Sequence, residues 1–316
     1  MANRKKPAYG GQAVIEGVMF AGKHTYVTAI RRIDDSIEFF EVPKKERPIL
    51  NKLKKIPFVR GCVAIIEASA NGTKHLNFSS ERYEVDPKDD DVELANQEKE
   101  SSKLALILGA AVIGILSFVF GKFIFTLIPA ITANFFLPIL PGRIEQNLIE
   151  GLFKLILLLA YIYFISMTPL IKKVFQYHGA EHKVINAYEN GLPLTVENVQ
   201  KQSRLHYRCG SSFILFTVIV GVFVYMFVPY EPLWQRLVYR ILFIPVVLGI
   251  SFEVLQFTNK LRNIPILKTL GYPGLWLQLL TTKEPTNKQV EVSISSFQEM
   301  LKRDEQYELR KQKSIV

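Results

Sequence analysis

Two histidines four residues apart, His178 and His182, with Glu181 directly before the second, are the most chemically loaded stretch of this chain. On a helix, positions i, i+3 and i+4 share one face. Two imidazoles one turn apart can hold one metal ion, and the carboxylate beside them can take a proton from water. H-x-x-E-H is the reversed form of a zinc-hydrolase pattern. Two ligands do not complete a site. Further candidates stand in "RLHYRCGSSF", where His206 and Cys209 are spaced as H-x-x-C. A strand or tight turn before Gly210 would aim both at one point, and glycine lets the backbone bend sharply there. Three of the five histidines and one of the two cysteines thus fall between residues 178 and 209. Imidazole and thiolate favour zinc, with iron or manganese behind it. If all four side chains bind, the site is closed and structural. If three bind, one position stays open and Glu181 can serve as general base. The competing reading puts His178 and His182 at a membrane interface, Glu181 against Lys183, and Cys209 in the core as a small hydrophobe.

The elements that must position these residues read as follows. Helical periodicity resumes at Leu170, after Thr168-Pro169, and runs to Asn190-Gly191, a helix stop. On either side of it lie long apolar stretches with almost no charge. Four are long enough to cross a bilayer, which takes roughly 20 residues: Leu104–Ile128, Leu152–Ile171, the shorter Phe213–Val228, and Leu237–Phe257. Residues 129–142, broken by Pro129 and Pro138, read as an interfacial or re-entrant piece, or as part of an extra span that would leave almost no turn. With 316 residues, 49% of them hydrophobic, and a net charge of +10, the composition is that of a polytopic membrane protein with soluble flanks.

Orientation follows from the basic residues in the loops. Lys172, Lys173, Lys183, Lys201, Arg204 and Arg208 lie between the second and third spans, and only Arg236 between the third and fourth. Both termini and the His178 loop are therefore expected in the cytosol. The N-terminus carries basic residues without an apolar core after them, so a cleavable signal peptide is not expected. Two cysteines make no disulfide framework and fit a reducing compartment. Anionic lipid accounts for the basic flanks without a nucleic acid.

The expected fold is mainly α. A membrane domain of about four spans covers 104–257 and carries the metal-site loop 172–211. A small N-terminal α+β unit covers 1–85, a charged linker 86–103, and a cytosolic tail with a helix 258–316. In the N-terminal unit, "TYVTAIRRIDDSIEFFEV" reads as two strands around Asp34-Asp35-Ser36, "GGQAVIEGVMF" as an earlier strand or turn-strand, and the stretch after Ile56 as a core or membrane-surface helix. Glu253 lies inside the fourth span, where an ionisable group is costly, and is a candidate further ligand or a paired, snorkelling side chain. Glu16, between a glycine pair and Gly17, reads as a turn or packing residue, or as part of the metal or substrate site. Lys122 reads as snorkelling and Trp276 as an interface anchor.

"GGQAVIEGVMF", "YHGAEHKVINAYENG", "RLHYRCGSSF" and "PGLWLQLLTTKEP" together resemble the YqhQ family of bacterial membrane proteins, over nearly the whole chain. Phe20 and Ser211 replace a methionine and a threonine that are usual there, and neither is a proposed ligand. The resemblance implies a multi-pass protein of the bacterial cell membrane, described as a predicted metal-dependent enzyme with no assigned substrate. The expectation is a hydrolase at the cytosolic face. His178, His182 and Cys209 would be ligands to zinc or another divalent transition metal, His206 a fourth ligand or proton relay, and Glu181 the base. Its substrate would be a lipid, a lipid-linked precursor or a membrane protein, and an oligomer is compatible with this. The rival class is a non-enzymatic scaffold or assembly factor stapled by a structural zinc. A transporter through four spans is a weaker third.

Overall fold

The computed structural model describes residues 9–45, 48–89, 121, 123–228, 233–262 and 264–313. The expected first span lies outside these residues up to position 120, as do Lys122 and most of the charged linker.

Four short strands, β1 (Gly10–Val14), β2 (Gly17–Ala21), β3 (Thr25–Arg31) and β4 (Ile37–Pro43), form an antiparallel meander in the order β1-β2-β3-β4. The turn-strand expected from "GGQAVIEGVMF" is a full hairpin. Val14 pairs with Gly17, and Ile15 and Glu16 make the two-residue turn. The β3–β4 turn is built as its sequence suggests: Asp34 Oδ1 accepts from both the amide and the hydroxyl of Ser36, at 3.0 and 2.6 Å.

The sheet is covered on both faces. Helix α1 (Pro48–Leu53) leads into α2 (Val59–Arg82), which lies on one of them. Thr28 of β3 meets His75 of α2, Oγ1 to Nδ1 at 2.7 Å, and Phe40 stacks on Phe78. On the other face, Val18, Phe20, Val27 and Ala29 share one core with Tyr177, Ala180 and Val184 of α5 (Pro169–Glu189) and with Val290, Phe297 and Met300 of the C-terminal helix, here α11 (Asn287–Lys313). Ser296 fastens that helix to the sheet by donating to the carbonyls of Val18 and Val27. The segment expected as an N-terminal unit therefore shares its core with the His178 helix and the tail.

His75 is fully buried. Burial holds its pKa down to about 4, from 6.5. Below pH 6.5 the unfolded chain takes up a proton that the folded chain refuses. The stability this group contributes is complete above 6.5 and is lost as the pH falls toward 4. At pH 5 the expected loss is about 2 kcal/mol, at about 1.36 kcal/mol per pKa unit. Unfolding curves at pH 7 and pH 5 check it, and His75→Leu should flatten that part of the difference.

The remaining helices are α3 (Ile128–Asn134), α4 (Arg143–Ile165), α6 (Val196–Gln200), α7 (Gly210–Tyr225), α8 (Leu233–Leu242), α9 (Ile244–Lys260) and α10 (Tyr272–Thr281). Among the described residues, α4 alone is long and apolar enough to cross a membrane, and α7 is apolar but shorter. The expected fourth span is not one helix. It breaks at Phe243, with Pro245 in the first turn of α9, because proline lacks the N–H a continuous helix needs and its ring crowds the preceding turn. A second core joins Ile162 of α4, Leu215 of α7 and Leu277 of α10.

Candidate metal centre

The centre forms where α5 runs past the N-terminus of α7. Thr168 stands extended ahead of Pro169, which fits the first turn of α5. At the other end Gly191 takes φ 74°, and the amide of Leu192 reaches back to Ala187 O at 3.0 Å, closing the helix as Asn190-Gly191 suggests. Between these ends the rings of His178 and His182 lie 4.5 Å apart.

One donor atom from each of His178, His182 and Cys209 lies within 4.8 Å of the others. The neighbours decide which atoms these are. His178 Nδ1 lies 2.9 Å from Thr281 O, and His182 Nδ1 lies 2.6 Å from Arg204 O. A carbonyl only accepts, so each Nδ1 carries the proton and each Nε2 is left with its lone pair. Such carbonyl partners orient metal-binding histidines. His178 Nε2 faces Cys209 Sγ at 3.2 Å. Cys209 is the N-cap of α7, and its sulfur accepts from the Ser211 amide at 3.4 Å.

His206 does not join them. Its ring lies 5.7 Å from that of His182. Gln278 holds its backbone on both sides, accepting from its N–H and donating to its carbonyl, each at 2.8 Å. The side chain then falls toward Glu189, with Nε2 at 3.8 Å from Oε1 and no hydrogen-bond partner among the described residues. Burial lowers the pKa of His206. Its imidazole and the Arg208 guanidinium hold Glu189 down to about 2.

Glu181 is 5% exposed and points at β1. Burial pushes its pKa up, while His178 and the Gly11 amide draw it back. It does not pair with Lys183, whose ammonium goes to Gln200 O and Glu284. Gly11 makes room for the carboxylate. A Cβ at residue 11 would stand 2.6 Å from Met19 O and 2.9 Å from Glu181 Cγ, whereas one at Gly10 meets nothing within 4 Å. Gly11→Ala should therefore cost about 1–3 kcal/mol and Gly10→Ala no more than about 0.5 kcal/mol, read as shifts in the denaturation midpoint.

His182 is 1% exposed, which keeps its ring from an interface, whereas His178 is partly buried. Two further candidates lie outside the ligand group. Glu253 takes the Arg60 guanidinium, with Nε at 2.7 Å, and accepts from the Phe58 amide at 3.1 Å, where φ is 65°. It ties α2 to α9. Glu16, at φ 50°, holds Lys173 and accepts from Tyr177 Oη at 3.1 Å, so it ties the β1–β2 turn to α5.

The three donors open on a cavity of about 670 Å³ between β1, α2 and α5. Glu181 and His206 also line it, as do Arg208, Lys54 and Glu67.

Comparison with known proteins bears on the whole chain. The family model described as "Protein of unknown function (DUF1385)" matches residues 56–303. The "Uncharacterized protein YqhQ" of Bacillus subtilis (strain 168) is 70% identical over 296 residues, which is 94% of this chain and 93% of that protein. No solved structure matches. Matched across the sheet-covering helix, the His178 helix and the C-terminal helix alike, the chain belongs to the DUF1385 family and is a relative of YqhQ.

Proposed function

We propose that this protein is a metal-dependent hydrolase of the bacterial cell membrane, with its centre at the cytosolic face. One observation carries the reading. Among the described residues three donors, not four, converge, and they do so on the wall of a large cavity beside a buried carboxylate. A site built to staple a loop closes on itself with four protein ligands, whereas a reactive one keeps a position free.

His178, His182 and Cys209 would hold zinc or another divalent transition metal, which when bound supplies Lewis-acid polarisation of a substrate oxygen. The chain's own residues supply the rest. The carbonyls of Thr281 and Arg204 fix both imidazoles. Glu181 accepts a proton from water and returns it to the leaving group, and burial moves its pKa in the direction a general base needs. His206, on the same wall with its Nε2 3.8 Å from Glu189 Oε1, would serve as a proton relay.

The membrane setting has its own support. Apolar side chains of α4 such as Leu148, Leu152, Ile156 and Phe164 are half exposed or more, and only 17% of the most apolar window of this helix is buried. An apolar helix bare to its surroundings fits hydrocarbon better than water. Trp276, 65% exposed on α10, fits an interface anchor. With a cytosolic His178 loop the chain crosses several times and both termini lie inside.

Cobalt substitution tests the open position. The visible absorption of a Co(II)-loaded, untagged chain in detergent should change on adding azide. A spectrum indifferent to azide with one bound ion per chain would mean a closed structural site and a scaffold.

A further inference from the structure

The cavity has one wall unlike the others, the free edge of β1. In the meander β1 pairs only with β2, and Gly10, Gly11, Gln12 and Ala13 line the cavity that holds the metal ligands. The β1–β2 turn has two residues, with Val14 opposite Gly17. In such a hairpin the closing pair exchanges hydrogen bonds, the next pair does not, and the alternation continues along the ladder. The N–H and C=O groups of Ala13 and Gly11 therefore point away from β2. The Gly11 amide does so, reaching Glu181.

Among the described residues no strand pairs with this edge; Glu181 of α5 takes the Gly11 amide, and the N–H and C=O of Ala13 and the C=O of Gly11 are left for pairing. The opposite edge strand, β4, carries Glu38 and Glu41 and ends at Pro43, which discourages further pairing. β1 reads Gly-Gly-Gln-Ala-Val, without charge, proline or bulk. A strand edge with unpaired groups beside a reactive centre is a template for an extended chain.

The charges in the cavity point the same way. Its two described cationic side chains are already matched, Lys54 with Glu67 at 2.5 Å and Arg208 with Glu189. No spare lysine or arginine among the described lining residues waits for a phosphate or carboxylate. Backbone pairing with an uncharged segment needs none.

We infer that the substrate is an extended polypeptide segment, which adds to the free edge of β1 and is thereby laid across the metal centre. The binding part stands on the β1 edge alone; the cleavage part rests on the hydrolase reading above. In that reaction the oxygen of water joins the carbonyl carbon and the peptide C–N bond breaks. The proton Glu181 has accepted passes to the leaving nitrogen.

The test uses the full chain in detergent, metal-free and zinc-loaded, with a fluorescein-labelled pool of uncharged decapeptides as probe. Anisotropy should show saturable binding that persists in the metal-free chain. Hydrogen exchange should slow at residues 10–14 when the pool is added. Ala13→Pro, which removes an edge-facing N–H, should weaken binding at least tenfold, while Ala13→Gly, which keeps it, should stay within about twofold. Binding without protection of 10–14 in the unmutated chain overturns the proposal, whatever Ala13→Pro does. So does the absence of peptide binding when dispersed phospholipid is bound instead. A chain that binds peptide through β1 but never takes up a metal would refute the hydrolase reading and leave this one standing.

Discussion

In the His178→Ala/His182→Ala variant, metal content is expected to fall from about one ion per chain to background, while Glu181→Gln should keep its metal and lose turnover by about 10²–10⁴-fold, the usual span of general acid–base catalysis. The first part follows from ligand count. Two of three converging donors are removed, and a lone thiolate at the N-cap of α7 cannot retain an ion against a chelator. The second follows from geometry. Glu181 leans on Gly11 and is not one of the three converging donors, so an amide in its place leaves the ligands intact. Both are read by mass spectrometry of untagged protein purified in detergent without chelator, with peptide cleavage as the second readout. Metal lost in Glu181→Gln would make that residue a ligand. Metal kept in the double variant would move the site elsewhere.

His206→Ala separates two meanings of H-x-x-C. If the imidazole is a relay, as its distance from the three donors implies, the variant keeps its metal and loses activity by a smaller factor than Glu181→Gln. Loss of metal would return His206 to the ligand set.

The His178–Glu181–His182 face was legible because helix periodicity alone puts i, i+3 and i+4 together. Cys209 was legible as a ligand type but not as a partner of His178 in particular. His206 stands apart from the three converging donors: Gln278, more than 70 positions away, holds its backbone on both sides, and its ring lies toward Glu189. The segment "PGLWLQLLTTKEP" held more than Trp276. It supplies Gln278 and the Thr281 carbonyl that fixes His178. Carbonyl contacts of this kind leave no trace in residue type, so only tertiary structure shows them.

The strands around Asp34 were legible from turn chemistry and alternation. The hairpin at Glu16 was harder, because φ 50° at a glutamate runs against the turn preference for glycine or asparagine. Its anchors, Lys173 and Tyr177, are far along the chain. The shared core of sheet, α5 and α11 was not legible either, since nothing local in an amphipathic helix says which distant sheet it covers. The break at Phe243 could have been read from Pro245, which an uninterrupted apolar run disguised.

The largest effect on stability is expected at the opposite end of α7 from the candidate metal centre. Glu150 of α4 and Arg240 of α8 form an ion pair with both partners under 10% exposed. Tyr225, at the end of α7, places its ring 5.3 Å from the guanidinium and donates to Arg240 O at 3.2 Å. Three helices thus meet on one buried charge pair. Removing one partner strands the other where water cannot reach, so Arg240→Met should cost about 3–5 kcal/mol. Replacing both should cost far less, because no charge is then left uncompensated. Glu150→Leu/Arg240→Met is therefore expected within about 1–2 kcal/mol of the parent, or above it. SDS titration of the detergent-solubilised chain, followed by circular dichroism, measures both. A single variant as stable as the parent would show that water reaches the pair, and with it that this end of the bundle is not closed by lipid. Metal content should be unchanged in either variant, since the pair and the centre share no partner, and energies at distant sites with no shared contacts add independently.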